Sequence, residues 1–211
     1  KNLGIVRDDG YTITGKGDSH EQITELSSIS NDIGTADSPK VFRELSKTNN
    51  HGGAIWNSAV YNHNVYADFV QNHVTSDTSH IMGGAIYNYA GSTIENITGN
   101  FKDNKASTGG AIFNNGTLSI NAKDSDIKFE GNSITGFGFG GAIYNDEYGT
   151  INLLADAGRK ITFVGGADDN IDSIHNNGTL NINGKDTSTA TQGIIELSKV
   201  TEMVNRLGDS L

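Results

Sequence analysis

Gly109-Gly110-Ala111-Ile112-Phe113-Asn114 is one of four near-identical hexapeptides in this chain. The others are Gly52-Gly53-Ala54-Ile55-Trp56-Asn57, Gly83-Gly84-Ala85-Ile86-Tyr87-Asn88 and Gly140-Gly141-Ala142-Ile143-Tyr144-Asn145, and a worn fifth copy, Asp172-Ser173-Ile174-His175-Asn176, follows. Their isoleucines lie 31, 26, 31 and 31 residues apart. Repetition at that period marks a stacked architecture in which each repeat buries its apolar face against the next. It directs attention to a long regular surface and away from a catalytic pocket.

Two further apolar bursts recur within each period. One is a short alternating segment: Thr93-Ile94-Glu95-Asn96-Ile97, Thr117-Leu118-Ser119-Ile120, Thr150-Ile151-Asn152-Leu153 and Thr179-Leu180-Asn181-Ile182. The other centres on phenylalanine: Phe69-Val70-Gln71-Asn72, Phe101-Lys102-Asp103-Asn104, Phe129-Glu130-Gly131-Asn132 and the imperfect Phe163-Val164-Gly165-Gly166. Alternation over four or five residues rich in β-branched and aromatic types predicts strand and not helix. Asn-Gly, Asp-Asn and Gly-Gly pairs between the bursts supply turns. Three strands per period, each above its counterpart, predict an all-β, right-handed parallel β-helix of about five to seven coils, spaced about 4.8 Å apart.

Period-2 alternation selects the inward residues. Ile55, Ile86, Ile112, Ile143 and Ile174 are expected to form one buried stack, and Phe69, Phe101, Phe129 and Phe163 a second. Leu118, Ile151 and Leu180, with Ile120, Leu153 and Ile182, fill the third side. The asparagines that close the hexapeptides fall in register, as do Asn72, Asn104 and Asn132. A stacked amide donates to one neighbour and accepts from the other, so these rows read as structural ladders. The Gly-Gly pairs permit a tight bend and close approach of coils. They lack the strand-to-helix context of a phosphate loop.

An open solenoid end templates further strands unless it is covered. Residues 1–40, polar and off-register, are expected to form an N-terminal cap, with an irregular coil around Ile13, Ile23 and Phe42. Residues 41–197 form the β-helix, ending in a strand at Gly193-Ile194-Ile195-Glu196-Leu197. Val200, Met203, Val204, Leu207 and Leu211 then follow a helical stripe, so residues 198–211 are expected to form a short capping helix begun at Ser198.

Composition narrows the partners. The chain has 211 residues, no cysteine and a formal charge of −10. That charge, with Lys and Arg forming no basic stripe, disfavours nucleic acid and anionic membrane. Without cysteine there is neither a disulfide framework nor a thiolate metal site. No apolar run approaches the roughly 18–20 residues that span a bilayer. No signal peptide is visible at Lys1, and the chain reads as a mature or excised piece of something longer.

GGAI tetrapeptides alternating with Phe-x-x-Asn resemble the signature of polymorphic outer-membrane proteins, whose passenger regions are carried by type V autotransporters. The pairing recurs at Gly52/Phe69, Gly83/Phe101 and Gly109/Phe129, and Gly140/Phe163 departs at Gly166, where Asn would stand. The resemblance covers about residues 41–185. It implies a passenger fragment at the bacterial cell surface or released, and adhesion to host-cell protein or glycan or to sister cells. It also implies a membrane barrel elsewhere in the parent protein, with no counterpart in these residues.

Outward positions are the first candidates for such contacts. Trp56, Tyr87, Phe113, Tyr144 and His175 each follow a buried isoleucine and are expected to face solvent in a column. Such a row either binds sugar rings or a protein face, or stacks on itself and shields the coil. Phe137 and Phe139 lie near it in a glycine-rich loop, and residues 58–81 are expected to project as a binding loop carrying Tyr61, Tyr66 and His73. Self-association through flat rod faces is a further expectation.

Catalysis is the alternative, since parallel β-helices also carry polysaccharide lyases and glycoside hydrolases. Asp168 and Asp169 are the best carboxylate pair for it, although an Asp-rich turn explains them as well. Asp146 and Glu147 form a weaker pair in a turn. A released effector binding a host receptor is a third reading. His20, His51, His63, His73, His80 and His175 lack the spacing of a zinc site, and the calcium nonapeptide is absent, so no metal and no cofactor are expected. The sequons at Asn96, Asn115 and Asn177 read as turn chemistry. The leading expectation is an adhesin without enzymatic activity.

Overall fold

A computed structural model describes residues 13–14, 31–48, 50–76, 80–164, 173–182, 193–198 and 203–205. These residues wind into a parallel β-solenoid of about four turns, and no helix occurs among them. The number of rungs differs from face to face.

The hexapeptides supply the isoleucine face. Ile55–Asn57, Ile86–Asn88, Ile112–Asn114, Ile143–Asn145, Ile174–Asn176 and Met203–Asn205 form a six-stranded parallel sheet. Isoleucine pairs with isoleucine along its first five strands and with Met203 at the sixth, and asparagine pairs with asparagine throughout. The alternating segments Thr93–Thr98, Thr117–Ala122, Thr150–Ala155 and Thr179–Ile182 make the second face. Lys40–Arg43, Phe101–Lys102, Ile127–Glu130, Lys160–Val164 and Ile194–Ser198 make the third. The 11-residue strand Val60–Val70 joins these two faces, pairing with Thr93–Thr98 through its first part and with Phe101–Lys102 through its last.

A fourth, short face was absent from the three-strand expectation. Ser46–Thr48, His73–Thr75, Lys105–Ala106 and Ser133–Ile134 form a four-stranded sheet. It follows from the Phe-x-x-Asn corner. Glu44, Gln71, Asp103 and Gly131, each two residues past a phenylalanine, all have φ between 55° and 66°. A left-handed turn at a residue with a side chain costs roughly 1–2 kcal/mol, and the neighbouring asparagines offset it. Asn72, Asn104 and Asn132 are buried, and their Nδ2 atoms donate to the carbonyls of Phe42, Phe69 and Phe101 at 3.0, 2.9 and 2.8 Å.

The interior is built of columns. Phe42, Phe69, Phe101, Phe129 and Phe163 are fully buried and stack face to face with centroids 5.1, 4.8, 4.5 and 4.5 Å apart. The five isoleucines of the hexapeptides are 0–1% exposed. Burying each such side chain contributes roughly 1.5–3 kcal/mol before entropy is subtracted. Asn57, Asn88, Asn114 and Asn145 each donate Nδ2 to the Oδ1 one coil on, at 2.8, 2.8, 2.7 and 2.7 Å, ending on Asn176.

The two glycines of each hexapeptide divide their labour. Gly83, Gly109 and Gly140 have φ of 69°, 61° and 69°, a region open to glycine. At Gly84 and Gly110 a Cβ would strike the carbonyl of the next coil's second glycine, so these positions set how closely coils approach.

The stacking reaches beyond residues 41–197 on both sides. Ile13–Thr14 pairs in parallel with Phe42–Arg43, which places Ile13 in the expected irregular coil, and Ile33 bridges to Val65. Ile23 and most of the expected cap lie outside the described residues. Where the capping helix was expected, Ser198 ends a strand and Met203–Asn205 forms a further rung beneath Ile174–Asn176. The reason is that Met203-Val204-Asn205 repeats the apolar-x-Asn pattern of the isoleucine face, and that register prevails over the helical spacing of Val200, Met203 and Val204. The remaining residues of 198–211 lie outside the description.

Candidate binding surface

The residues after the buried isoleucines do form a column, but it is largely shielded from solvent. Trp56–Tyr87, Tyr87–Phe113, Phe113–Tyr144 and Tyr144–His175 centroids lie 6.5, 5.2, 5.3 and 5.2 Å apart with ring planes within 9° of parallel. Tyr87, Phe113 and His175 are only 9%, 3% and 3% exposed, which corrects the expectation of a solvent-facing strip. Trp56 and Tyr144 are partly buried.

Two physical causes produce the shielding. Tyr87, Phe113 and Tyr144 each spend their faces on the rings above and below, so only edges point outward. Neighbouring chain covers more of the column: His51 stacks on the face of Tyr87 at 4.6 Å, Phe139 leans on His175 at 4.7 Å, and Tyr89 tilts against both Trp56 and Tyr87 at 6.3 Å. A sugar ring that must lie flat on an aromatic face finds no face along Tyr87, Phe113 and Tyr144.

Residues 58–81 do not project as a loop. They hold the strands Val60–Val70 and His73–Thr75, and residues 77–79 lie outside the description. Tyr61 is 1% exposed, takes the place of Ile94 in the core, and donates its hydroxyl to the Asn31 carbonyl at 2.7 Å. It is a core residue and not a contact residue. Tyr66 is partly buried with its hydroxyl 3.4 Å from Asp124. Burial first, then Asp124 and Asp32, push that phenol up.

Phe137 and Phe139 keep the exposure expected of them. Phe137 is fully exposed, and Phe139 is about half exposed. The backbone holds their loop down on both sides, through Thr135 N to Ala106 O at 2.7 Å and Gly109 N to Phe139 O at 3.0 Å.

Exposed aromatics that the column reading missed stand on the turns leaving the isoleucine face. These turns alternate between two and four residues: Ser58-Ala59, Tyr89-Ala90-Gly91-Ser92, Asn115-Gly116, Asp146-Glu147-Tyr148-Gly149 and Asn177-Gly178. The longer ones raise Tyr89, 49% exposed, and Tyr148, 75% exposed. The signal was present in the unequal spacing between each hexapeptide asparagine and the following strand. Tyr148's phenol is pushed up by its hydrogen bond to Glu147. Tyr87's is pushed up by burial first, then by Tyr89 and by Asp146 two coils away. Asp146 and Glu147 thus belong to a turn, closed by Gly149 N donating to Asp146 O at 2.8 Å.

Charged and metal-binding candidates do not assemble. Asp168 and Asp169 lie outside the described residues, as does His20. Among the described residues no group of three or more His, Asp or Glu side chains is placed to hold a metal ion. His63 lies 3.8 Å from Asp32, and His73 sits in the short face. Burial lowers the pKa of His51, whose Nδ1 accepts from Met82 N at 3.1 Å. Of the sequon asparagines, Asn177 Nδ2 donates to Tyr144 Oη at 2.8 Å, and Asn115 Oδ1 is buried with no hydrogen-bond partner among the described residues. No helix among the described residues is long and apolar enough to cross a membrane.

The site defines a class by geometry alone: a parallel β-solenoid with internal amide and aromatic ladders and aromatic turn tips. Compared with protein-family models, curated proteins and solved structures, the chain matches none.

Proposed function

We propose that this chain is a passenger segment of the autotransporter type, displayed on the bacterial surface or released, that acts as an adhesin through protein or glycan contacts. The observation supporting this is the division of labour among its aromatic residues. Those of the interior and the shielded column hold coils together, while Tyr89, Tyr148, Phe137 and Phe139 stand at turn and loop tips. A rigid rod with amphipathic rings at its margins suits contact with a large partner better than enclosure of a small substrate. The GGAI and Phe-x-x-Asn repeats add the resemblance to polymorphic outer-membrane passengers, and with it export and a barrel in the parent protein.

The reading is tested by binding of the purified chain to host-cell monolayers and to a glycan array, alongside Tyr89→Ala, Tyr148→Ala and Phe137→Ala variants. Binding weakened by tip substitutions that leave thermal stability unchanged supports it. Saturable turnover of a polysaccharide, lost on Asp169→Asn, would overturn it in favour of an enzyme.

A further inference from the structure

The residue before each hexapeptide stands in a column of its own. His51, Met82, Thr108 and Phe139 hold that position, and their backbones are joined coil to coil: Gly52 N donates to Met82 O at 3.1 Å, Gly83 N to Thr108 O at 3.0 Å and Gly109 N to Phe139 O at 3.0 Å. From this position the two aromatic members reach over the ring one coil further on. His51 lies on Tyr87 at 4.6 Å and Phe139 on His175 at 4.7 Å. Phe139 covers its ring at every pH. His51 carries a side chain that takes up a proton in the physiological range.

Two contacts hold the His51 ring. Its face lies on Tyr87, 17° from parallel, and its Nδ1 accepts from Met82 N at 3.1 Å. An imidazole nitrogen that accepts a hydrogen bond carries no proton, so the held form is the neutral ring. Protonation sets an N–H of His51 against the N–H of Met82, donor facing donor, and the bond is lost. Burial opposes the charged ring as well. The hexapeptides at 52–57 and 83–88, the turns that follow them and residues 80–82 hold no Asp, Glu, Lys or Arg to offset this. Their titratable groups are Tyr87, Tyr89 and the exposed His80, and Asp146 acts on Tyr87 from two coils away. The ring beneath depends on this cover. Trp56 is 6.5 Å from Tyr87, against 5.2 and 5.3 Å between later rings, so it leaves part of that face to His51.

We propose that His51 is an acid-released lid on the aromatic column: taking up a proton frees its ring from Met82 and uncovers the face of Tyr87 beside Trp56 and Tyr89. At neutral pH the unprotonated ring keeps the column closed. The released ring takes its proton near the ordinary value of 6.5, whereas the held ring resists. Each pH unit below 6.5 therefore shifts the balance about tenfold toward the open form, until the held ring is protonated too. The inference concerns when the column is exposed and not what it binds, and it stands apart from the adhesin reading.

The test uses the whole chain, isotope-labelled. Nuclear Overhauser contacts between the His51 and Tyr87 rings are expected at about pH 7.5 and are lost at about pH 5, while those between Tyr87 and Phe113 and the circular dichroism persist. Fluorescence of anilinonaphthalene sulfonate, a planar aromatic probe, rises over the same range and falls back when the pH is restored. His51→Gln keeps an acceptor for Met82 N and has no proton to gain, so its dye signal stays low at both pH values. His51→Ala has no lid, and its signal is high at both. Ring contacts that persist after His51 has titrated, a wild-type dye signal flat with pH, or an equal acid rise in His51→Gln would each overturn the proposal. Loss of the Tyr87–Phe113 contacts in step with those of His51 would overturn it too, because the column would then be coming apart as a whole.

Discussion

Replacing Asn114 by alanine removes the middle link of the amide ladder. Asn114 is fully buried, accepts from Asn88 Nδ2 at 2.8 Å, and donates to Asn145 Oδ1 at 2.7 Å and to Gly116 O at 2.9 Å. After truncation Asn88 Nδ2 keeps Thr117 O, and Gly116 O keeps Thr150 N. Asn145 Oδ1 and Gly116 N lose the only partners they have among the described residues. Two buried orphans at about 1–3 kcal/mol each set the cost of Asn114→Ala at about 4 kcal/mol. Asn57→Ala, at the head of the ladder, costs about half, because Asn88 Oδ1 keeps the Ser92 hydroxyl at 2.7 Å. Urea unfolding followed by circular dichroism reads both, and thermal midpoints fall by about 2–4 °C per kcal/mol. Asn114→Asp sharpens the test. Its carboxylate faces Asn145 Oδ1 without a proton to donate, so its folded pKa rises above the ordinary value of about 3.9. The folded state then holds the proton more tightly. The deficit relative to wild type is smallest below about pH 4 and grows as pH climbs through the raised pKa. Equal costs at Asn114 and Asn57, or a deficit in Asn114→Asp that shrinks toward neutral pH, would refute the ladder.

Two further outcomes follow from particular contacts. Phe101→Ala opens a hole between rings 4.8 and 4.5 Å away and should destabilise by about 3–5 kcal/mol in the same urea assay. A cost under about 1 kcal/mol would mean the phenylalanine column is not tightly filled. His51 accepts from Met82 N and is held by burial below the ordinary imidazole value of 6.5, so it resists protonation in the folded state. Its contribution to stability is intact above 6.5 and is lost as pH falls from there through the lower folded value. An NMR titration should give a His51 midpoint below 6.5 with the Met82 amide moving in step. A midpoint at or above that value, or a silent Met82 amide, contradicts the bond.

The columns were legible because a parallel solenoid writes each interaction once per coil. Ile112 sits over Ile143, Phe101 over Phe129 and Asn88 over Asn114, so a repeated residue is a repeated contact. What breaks the repeat was harder to read. Tyr61 replaces an aliphatic residue in the second face, and a lone tyrosine in a long interval looked like a surface group until its hydroxyl found the Asn31 carbonyl. Met203-Val204-Asn205 is too short for its period to separate helix from strand, and only the rung above it decides. The aromatic column was placed on the correct side of the strand. Its shielding comes from His51, Tyr89 and Phe139, residues at irregular offsets whose reach is a matter of side-chain direction. The alternation of turn lengths was open to inspection, but its meaning needs the coils aligned first.

Nuclear Overhauser contacts around Ile112 in isotope-labelled protein test the stacked-coil account most directly. Contacts of the parallel type are expected from Ile112 to Ile86 on one side and to Ile143 on the other, with Phe113 matched to Tyr87 and Tyr144 in the same register. Close Hα–Hα contacts between strands adjacent in sequence, the mark of antiparallel hairpins, would contradict it.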